Sequence, residues 1–371
     1  MNKCVSILFI FLLGISSYSC QEPKKDSDYF IGDIRYIDES AKVVKSVSSY
    51  LLDLKGDNYG LISVYDSLLI CWNPKLPKHF FNIFNVDTGE EIGSFCPKGQ
   101  GPEDIVQANA LFQLKQEDGE LKTLIDESAR NRLLKWNITR SIQTGKTVWD
   151  TIVPFTNKSD SYRTHLFVFL QSGDTILSSV NEDIISDYEA FTPYYEKRLL
   201  SNDELLQNYF FYKEDSIFNS DVSPLSFFYT WDAIKPDGSK IAQVMRTLPQ
   251  LNIIDTHTGK ITGYRLKGGG DFSLVESDEP YDKVYYNWVH ADDRFIYAVY
   301  WGKEQWEVSM EAKIPDLRTI YVFDWDGNLR YELQTDKTYF RIWVDPVRNR
   351  LYTQNHDMDE VYYIDLSELN L

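Results

Sequence analysis

Short runs of alternating apolar and polar residues, broken by Gly, Asp, Asn or Pro, fill most of this chain. The pattern is clearest in Phe227–Leu266, FFYTWDAIKPDGSKIAQVMRTLPQLNIIDTHTGKITGYRL. Phe227–Ile234, Ile241–Arg246, Leu251–Asp255 and Ile261–Leu266 are each rich in β-branched and aromatic residues and too short for an ordinary helix. Pro236-Asp237-Gly238 and Thr256–Lys260 stand where hairpins would turn, with Gly free to take positive φ. This predicts a four-stranded antiparallel meander. Such a sheet cannot bury both faces alone, and repetition around an axis covers them.

The rest of the chain repeats the unit. Leu61–Phe95 predicts one blade, with strands at Ser67–Trp72, Phe80–Val86 and Glu91–Phe95. Ile105–Phe155 predicts a second, with strands at Ala110–Leu114, Leu121–Asp126, Arg132–Ile138 and Thr147–Val153. The third, His165–Phe218, is less regular. Strands are expected at His165–Leu170 and Thr175–Val180, and a helical turn or two at Asn202–Tyr209. Val284–Gln334 predicts a fifth blade after the Phe227–Leu266 unit. The sixth shows only three strands, Tyr339–Val344, Arg350–Gln354 and Val361–Asp365. Tyr29–Ile37 alternates and is expected to pair beside Val361–Asp365 as the missing outer strand, closing the ring. The expected fold is all-β, a six-bladed propeller of four-stranded antiparallel blades over residues 29–371, closed by an N-terminal strand.

Lys98-Gly99-Gln100-Gly101-Pro102-Glu103-Asp104 resembles the G-x-G-P-x-E element of TolB-like six-bladed propeller lipoproteins of Bacteroidota. Lys235–Ala242 (KPDGSKIA) resembles the S-P-D-G-K-x-I-A turn of TolB-type repeats, with Lys235 in place of Ser. Phe295–Gly302 and Asp324–Asn328 are also similar to the later blades of that family. The resemblance implies a lipid-anchored propeller. It carries no established chemistry, and so no catalytic residues.

Lys3 followed by the apolar Val5–Ile15 predicts a signal peptide over residues 1–19, the apolar run being too short to span a bilayer. Cys20 follows Ser17-Tyr18-Ser19, which resembles a bacterial lipobox with Ser17 where Leu is usual. Lipidation at Cys20, a polar tether over residues 20–28, and a cell-envelope address at a membrane, the outer one foremost, are therefore expected. Of the remaining cysteines, Cys71 and Cys96 are expected as separate buried thiols.

Asp and Glu number 56 against 38 Lys and Arg, a formal net charge of −18, which argues against nucleic-acid partners. The five His residues show no paired-ligand spacing, and neither a P-loop nor a G-x-S-x-G elbow is present. No metal or cofactor is expected. Asp326-Gly327 reads as a hairpin turn rather than part of a calcium loop.

In a propeller, the second-to-third-strand loops and the inter-blade crossings emerge on one face. Here these are the longer loops, and binding tends to concentrate on such loops. Lys98, Arg130, Trp301, Lys303, Trp306 and His356 are the candidate ligand-binding residues on that face. The leading expectation is a binding module for a protein, peptide or glycan. The rival is a carbohydrate-active lyase or hydrolase, which would place clustered carboxylates or His at the channel mouth. An aromatic, mixed-polar lining would favour binding.

Overall fold

Side chains at the strand ends settle where each hairpin turns. Asn85 accepts from the backbone N–H groups of Asp87 and Thr88, and Asp255 does the same for His257 and Thr258. In both hairpins the Thr hydroxyl then accepts from the N–H two residues on, so the Asp-Thr-Gly and His-Thr-Gly turns are one device used twice. Asp324 likewise accepts from Asp326 and Asn328, making 324–328 a hairpin turn.

The computed structural model describes residues 25–154, 161–163, 174–182, 194–213, 227–276, 283–309 and 317–369. Three N-terminal strands, β1 (Asp33–Tyr36), β2 (Val43–Val47) and β3 (Tyr50–Leu51), precede the blades. The first blade contains β4 (Leu61–Tyr65), β5 (Leu68–Trp72), β6 (His79–Asn85) and β7 (Glu91–Pro97). The second contains β8 (Lys115–Glu117), β9 (Glu120–Glu127), β10 (Arg132–Asn137) and β11 (Trp149–Pro154). In the third are β12 (Ser161–Arg163), β13 (Thr175–Glu182), β14 (Tyr194–Leu199) and β15 (Leu205–Tyr209). The fourth has β16 (Thr230–Ile234), β17 (Lys240–Met245), β18 (Gln250–Asp255) and β19 (Ile261–Arg265). The fifth has β20 (Lys283–Ala291), β21 (Phe295–Glu304), β22 (Thr319–Asp324) and β23 (Leu329–Thr335), and the sixth β24 (Arg341–Asp345), β25 (Arg350–Gln354) and β26 (Val361–Asp365).

Within each blade, successive strands pair antiparallel. Hydrophobic clusters fill all six seams, including the one where Trp343, Tyr352 and Val361 of the last blade meet Ile62, Val64 and Phe84 of the first. Indoles stitch several seams. Trp72 donates to the Ala108 carbonyl, Trp288 to Ile342 and Trp343 to Val64. This is the closed six-bladed propeller that the strand pattern predicts.

The N-terminal segment departs from expectation. Tyr29–Ile37 does not complete the sixth blade; β1 runs parallel to β19 and adds a fifth strand to the fourth blade. The reason is the aromatic pair ahead of it. Tyr29 and Phe30 are buried among Phe211, Tyr212, Phe227, Phe228 and Phe272, with Phe30 stacked on Phe272 at 5.3 Å. The Asp26 carboxylate meanwhile takes two hydrogen bonds from the buried Arg265, so contacts with the ring begin inside the stretch read as a tether. From there β2 lies parallel to β23 on the fifth blade, and β3 pairs antiparallel with β26 as the fourth strand of the sixth. An N-terminal strand does close the ring, but it is Tyr50–Leu51.

Two local expectations are also corrected. The 202–209 stretch forms an Asx turn and then β15, because β14 offers it an open edge. The inner strand of the second blade is Lys115–Glu117, not Ala110–Leu114. His165–Leu170, the signal peptide and Cys20 lie outside the described residues. Cys71 and Cys96 are free and buried, on β5 and β7 of the first blade. Burial pushes the Cys71 thiol up to about 12 and raises Cys96 as well.

Candidate functional site

Inner strands β4, β16, β20 and β24 run the same way. The short first-to-second-strand turns therefore lie on one face, and the second-to-third-strand loops on the other. The six residues singled out from sequence belong to the second face and fall in two groups.

Lys98 and Arg130 serve the crossing between the first and second blades. The Lys98 ammonium donates to the carbonyls of Pro74 and Leu76, at 2.6 and 2.5 Å, and lies over the Phe80 ring. Arg130 donates to the carbonyls of Gly99, Gly101 and Asp104 and to the Gln100 side chain. Arg132 adds bonds to Pro102 and Asp104 while paired with the buried Glu127. Arg130 and Arg132 thus hold the 98–105 loop in shape, and Lys98 ties it to the 74–76 segment.

Trp301, Lys303, Trp306 and His356 gather around the fifth and sixth blades. Trp301 is buried in the core between these blades, where it packs on Phe340 at 6.1 Å, and Phe340 meets the exposed His356 ring edge-on at 5.1 Å. Lys303 sits near the end of β21, and Trp306 stands well exposed on the short helix Gln305–Ser309.

Between these blades and the fourth, the inner strands build a cluster that sequence reasoning missed. Trp231 on β16, Trp288 on β20 and Arg341 on β24 come from the inner strands of three successive blades. The two indoles pack at 4.5 Å, Tyr229 meets Trp231 edge-on at 5.3 Å, and the Arg341 guanidinium lies 4.0 Å over Trp288 and 5.9 Å from Trp231. Burial pushes Arg341 down to about 10, leaving it cationic at neutral pH. Arg246, just past β17, also has its pKa lowered by burial and donates to Gln305 at 2.9 Å. Burial raises the Tyr229 phenol; the charges of Arg246 and Arg341 act to lower it and that of Asp232 to raise it. The next residue along β16, Asp232, alternates away from Trp231, and Tyr195 and Gln243 donate to its carboxylate.

Farther along the axis, a cavity of about 70 Å³ sits near the short-turn end. Tyr65, Phe112, Gln113, Ile234, His290 and Trp343 are among the residues lining it, and no carboxylate lines it among the described residues. His290 stacks on Trp343 at 4.0 Å, and its Nδ1 accepts from the Val344 N–H. Burial pushes its pKa down to about 3, so the imidazole is neutral. Among the described residues, no group of three or more His, Cys, Asp or Glu side chains is placed to hold a metal ion.

A family model described as TolB-like 6-blade propeller-like matches residues 60–346. The chain belongs to this family. Similar solved folds come from the same bacterial genus as each other. A DUF4221-family member from Bacteroides vulgatus is 13% identical with a TM-score of 0.53, over 85% of this chain and 95% of that one. A protein described as exported, from Bacteroides fragilis, is 12% identical with a TM-score of 0.49, over 87% and 99%. At these identities the likeness concerns the fold. No curated protein matches the sequence. The matched span of the TolB-like propeller covers every member of the mouth cluster, as well as Lys98, Arg130, Trp301, Lys303 and Trp306, and leaves out His356.

The one available signal for the missed cluster was the recurrence of a large flat side chain or Arg ahead of the inner-strand turn in consecutive blades. That signal is indistinguishable in sequence from the Trp and Tyr residues that pack the seams.

Proposed function

We propose that this TolB-like propeller is a non-catalytic binding module of the bacterial cell envelope, anchored to a membrane by lipid on Cys20 and engaging its ligand on the long-loop face. The observation carrying this reading is the Tyr229–Trp231–Trp288–Arg341 cluster at the axis, where aromatic faces and a cation stand together. Such groups recognise ligands by stacking and directed hydrogen bonds. A glycosidase would instead need two carboxylates flanking one bond, and the axial cavity supplies none among the described residues. Phe340, beside Arg341 in sequence, and the exposed His356 ring packed on it would extend the surface, with the buried Trp301 supporting Phe340 from below.

The test uses residues 21–371 without lipid, titrated with pools of envelope peptides and of oligosaccharides while tryptophan fluorescence is read. A saturable change that Trp288→Ala reduces at least tenfold supports the module. Turnover of an oligosaccharide by the wild-type chain would instead establish the enzyme. For the anchor, Cys20→Ala should move the protein from the membrane pellet to the soluble envelope fraction, and retention in the pellet would refute lipidation.

A further inference from the structure

The mouth cluster contains more positive charge than its surroundings explain. The chain carries a net charge of −18, yet the Arg341 guanidinium rests on indole rings rather than on a carboxylate. Among the described residues, Arg341 makes no ion pair and no hydrogen bond. Its contacts are the two indoles. Its Nε is buried without an acceptor, and the Trp231 Nε1 beside it is also a buried donor without one. Native proteins seldom leave buried donors orphaned, and an unpaired buried charge is costlier still. Other buried cations of this molecule have a carboxylate: Arg265 is paired with Asp26, although its Nη2 is also buried without an acceptor, and Arg198 is paired with Glu196 and Asp203. Arg341 differs from these in having neither a carboxylate nor a hydrogen-bond acceptor among the described residues. It calls for an anionic acceptor that also offers an apolar face.

We propose that Arg341 and Arg246, with Tyr229, Trp231 and Trp288, form a subsite for a carboxylate-bearing sugar, the acidic residue of a uronic-acid glycan. This rests on the binding-module reading and adds the ligand class. A planar guanidinium matches a carboxylate through paired N–H donors. The indole faces suit the C–H face of a pyranose ring, which a bare phosphate lacks. Arg246 donates to Gln305 on the short helix that also carries Trp306, and would supply the second cation. Stacking on Trp288 pre-orients the Arg341 fork, so little side-chain freedom is lost on binding.

The experiment titrates the lipid-free 21–371 chain with trigalacturonate, its methyl ester, neutral galactotriose, inorganic phosphate, and a hexapeptide as free acid and as amide. Expected is saturable binding of trigalacturonate, weakened at least tenfold by methyl esterification and by Arg341→Gln, and weakening further as salt is raised. Arg341→Lys should recover only part of it, because an ammonium cannot make the paired contact. Arg341→Gln should stay folded, with a thermal midpoint only slightly lowered by loss of the stacking on Trp288. A fall large enough to unfold the chain at the titration temperature would show that Arg341 serves the fold and would overturn the assignment. Equal binding of acid and ester, or indifference to Arg341→Gln, also overturns it. Phosphate binding as tightly as trigalacturonate would make this a bare anion site, and preference for the peptide acid would make it a peptide carboxylate site; either result refutes the sugar. If neutral or peptide ligands bind in a Trp288-dependent, Arg341-independent manner, the binding module stands and the subsite falls.

Discussion

Asp26 offers the sharpest test of how the N-terminal segment is fastened. Its carboxylate accepts both bonds from Arg265 Nη1, at 2.9 and 2.8 Å, and a third from the Phe272 N–H at 3.1 Å. Arg265 is only 1% exposed, and its remaining side-chain acceptor is Gln250, at 2.8 Å. Asp26→Ala strands that guanidinium. Removing one partner of a buried pair costs about 3–5 kcal/mol. Because the Asp26 side chain is 23% exposed, water can partly replace it, and the low end, about 3 kcal/mol, is expected. For a domain this large that corresponds to a drop of roughly 5 °C in the thermal midpoint. The assay is thermal and urea unfolding of lipid-free chains carrying Asp26→Ala, Arg265→Met and both. Arg265→Met removes the charge that needs pairing, so the double variant should be more stable than the two single losses predict. The expected coupling is about 2 kcal/mol. A loss below about 0.5 kcal/mol for Asp26→Ala, or strict additivity in the double variant, would refute the clamp.

His290 should make stability pH-dependent. Its folded pKa, about 3, lies below the ordinary value near 6.5, so below pH 6.5 the unfolded chain binds a proton that the folded one refuses. Stability is full above about pH 6.5 and falls toward pH 3; from pH 7.5 to 5 the wild type should lose about 1–2 kcal/mol more than His290→Gln by urea unfolding, and equal losses would count against this. Gly89 and Gly119 both have positive φ, but a Cβ at Gly89 would sit 1.8 Å from the Asp53 carbonyl oxygen, whereas nothing lies within 4 Å at Gly119. Gly119→Ala should cost about 1 kcal/mol and Gly89→Ala at least about 2 kcal/mol, and equal midpoints for the two variants would contradict the close approach. Cys71 and Cys96, buried with raised pKa values, should stay unreactive toward an aromatic disulfide reagent at pH 8 until denaturant unfolds the chain; labelling of the native protein within minutes would refute it.

Much of this architecture is written locally, and that part was legible in the residues. Asp-Gly, Asp-Thr-Gly and Asp324–Asn328 turn the chain through hydrogen bonds spanning a few residues, and alternation between turns marks strands whose partners are next in sequence. Repetition of the unit then implies the ring, because no single blade can cover its own faces. Where a partner is distant, local pattern is silent. The alternation of Tyr29–Ile37 identifies an edge strand without saying which of several open edges it joins; the burial of Tyr29 and Phe30 and the charge on Arg265 decide for the fourth blade. The 202–209 stretch has a helix former's composition, yet a waiting edge on β14 offers its backbone a full set of partners. The mouth cluster is the extreme case. Trp231, Trp288 and Arg341 are far apart in the chain and unremarked in their own strands, and each means little until closure of the ring points three successive inner strands at one axis.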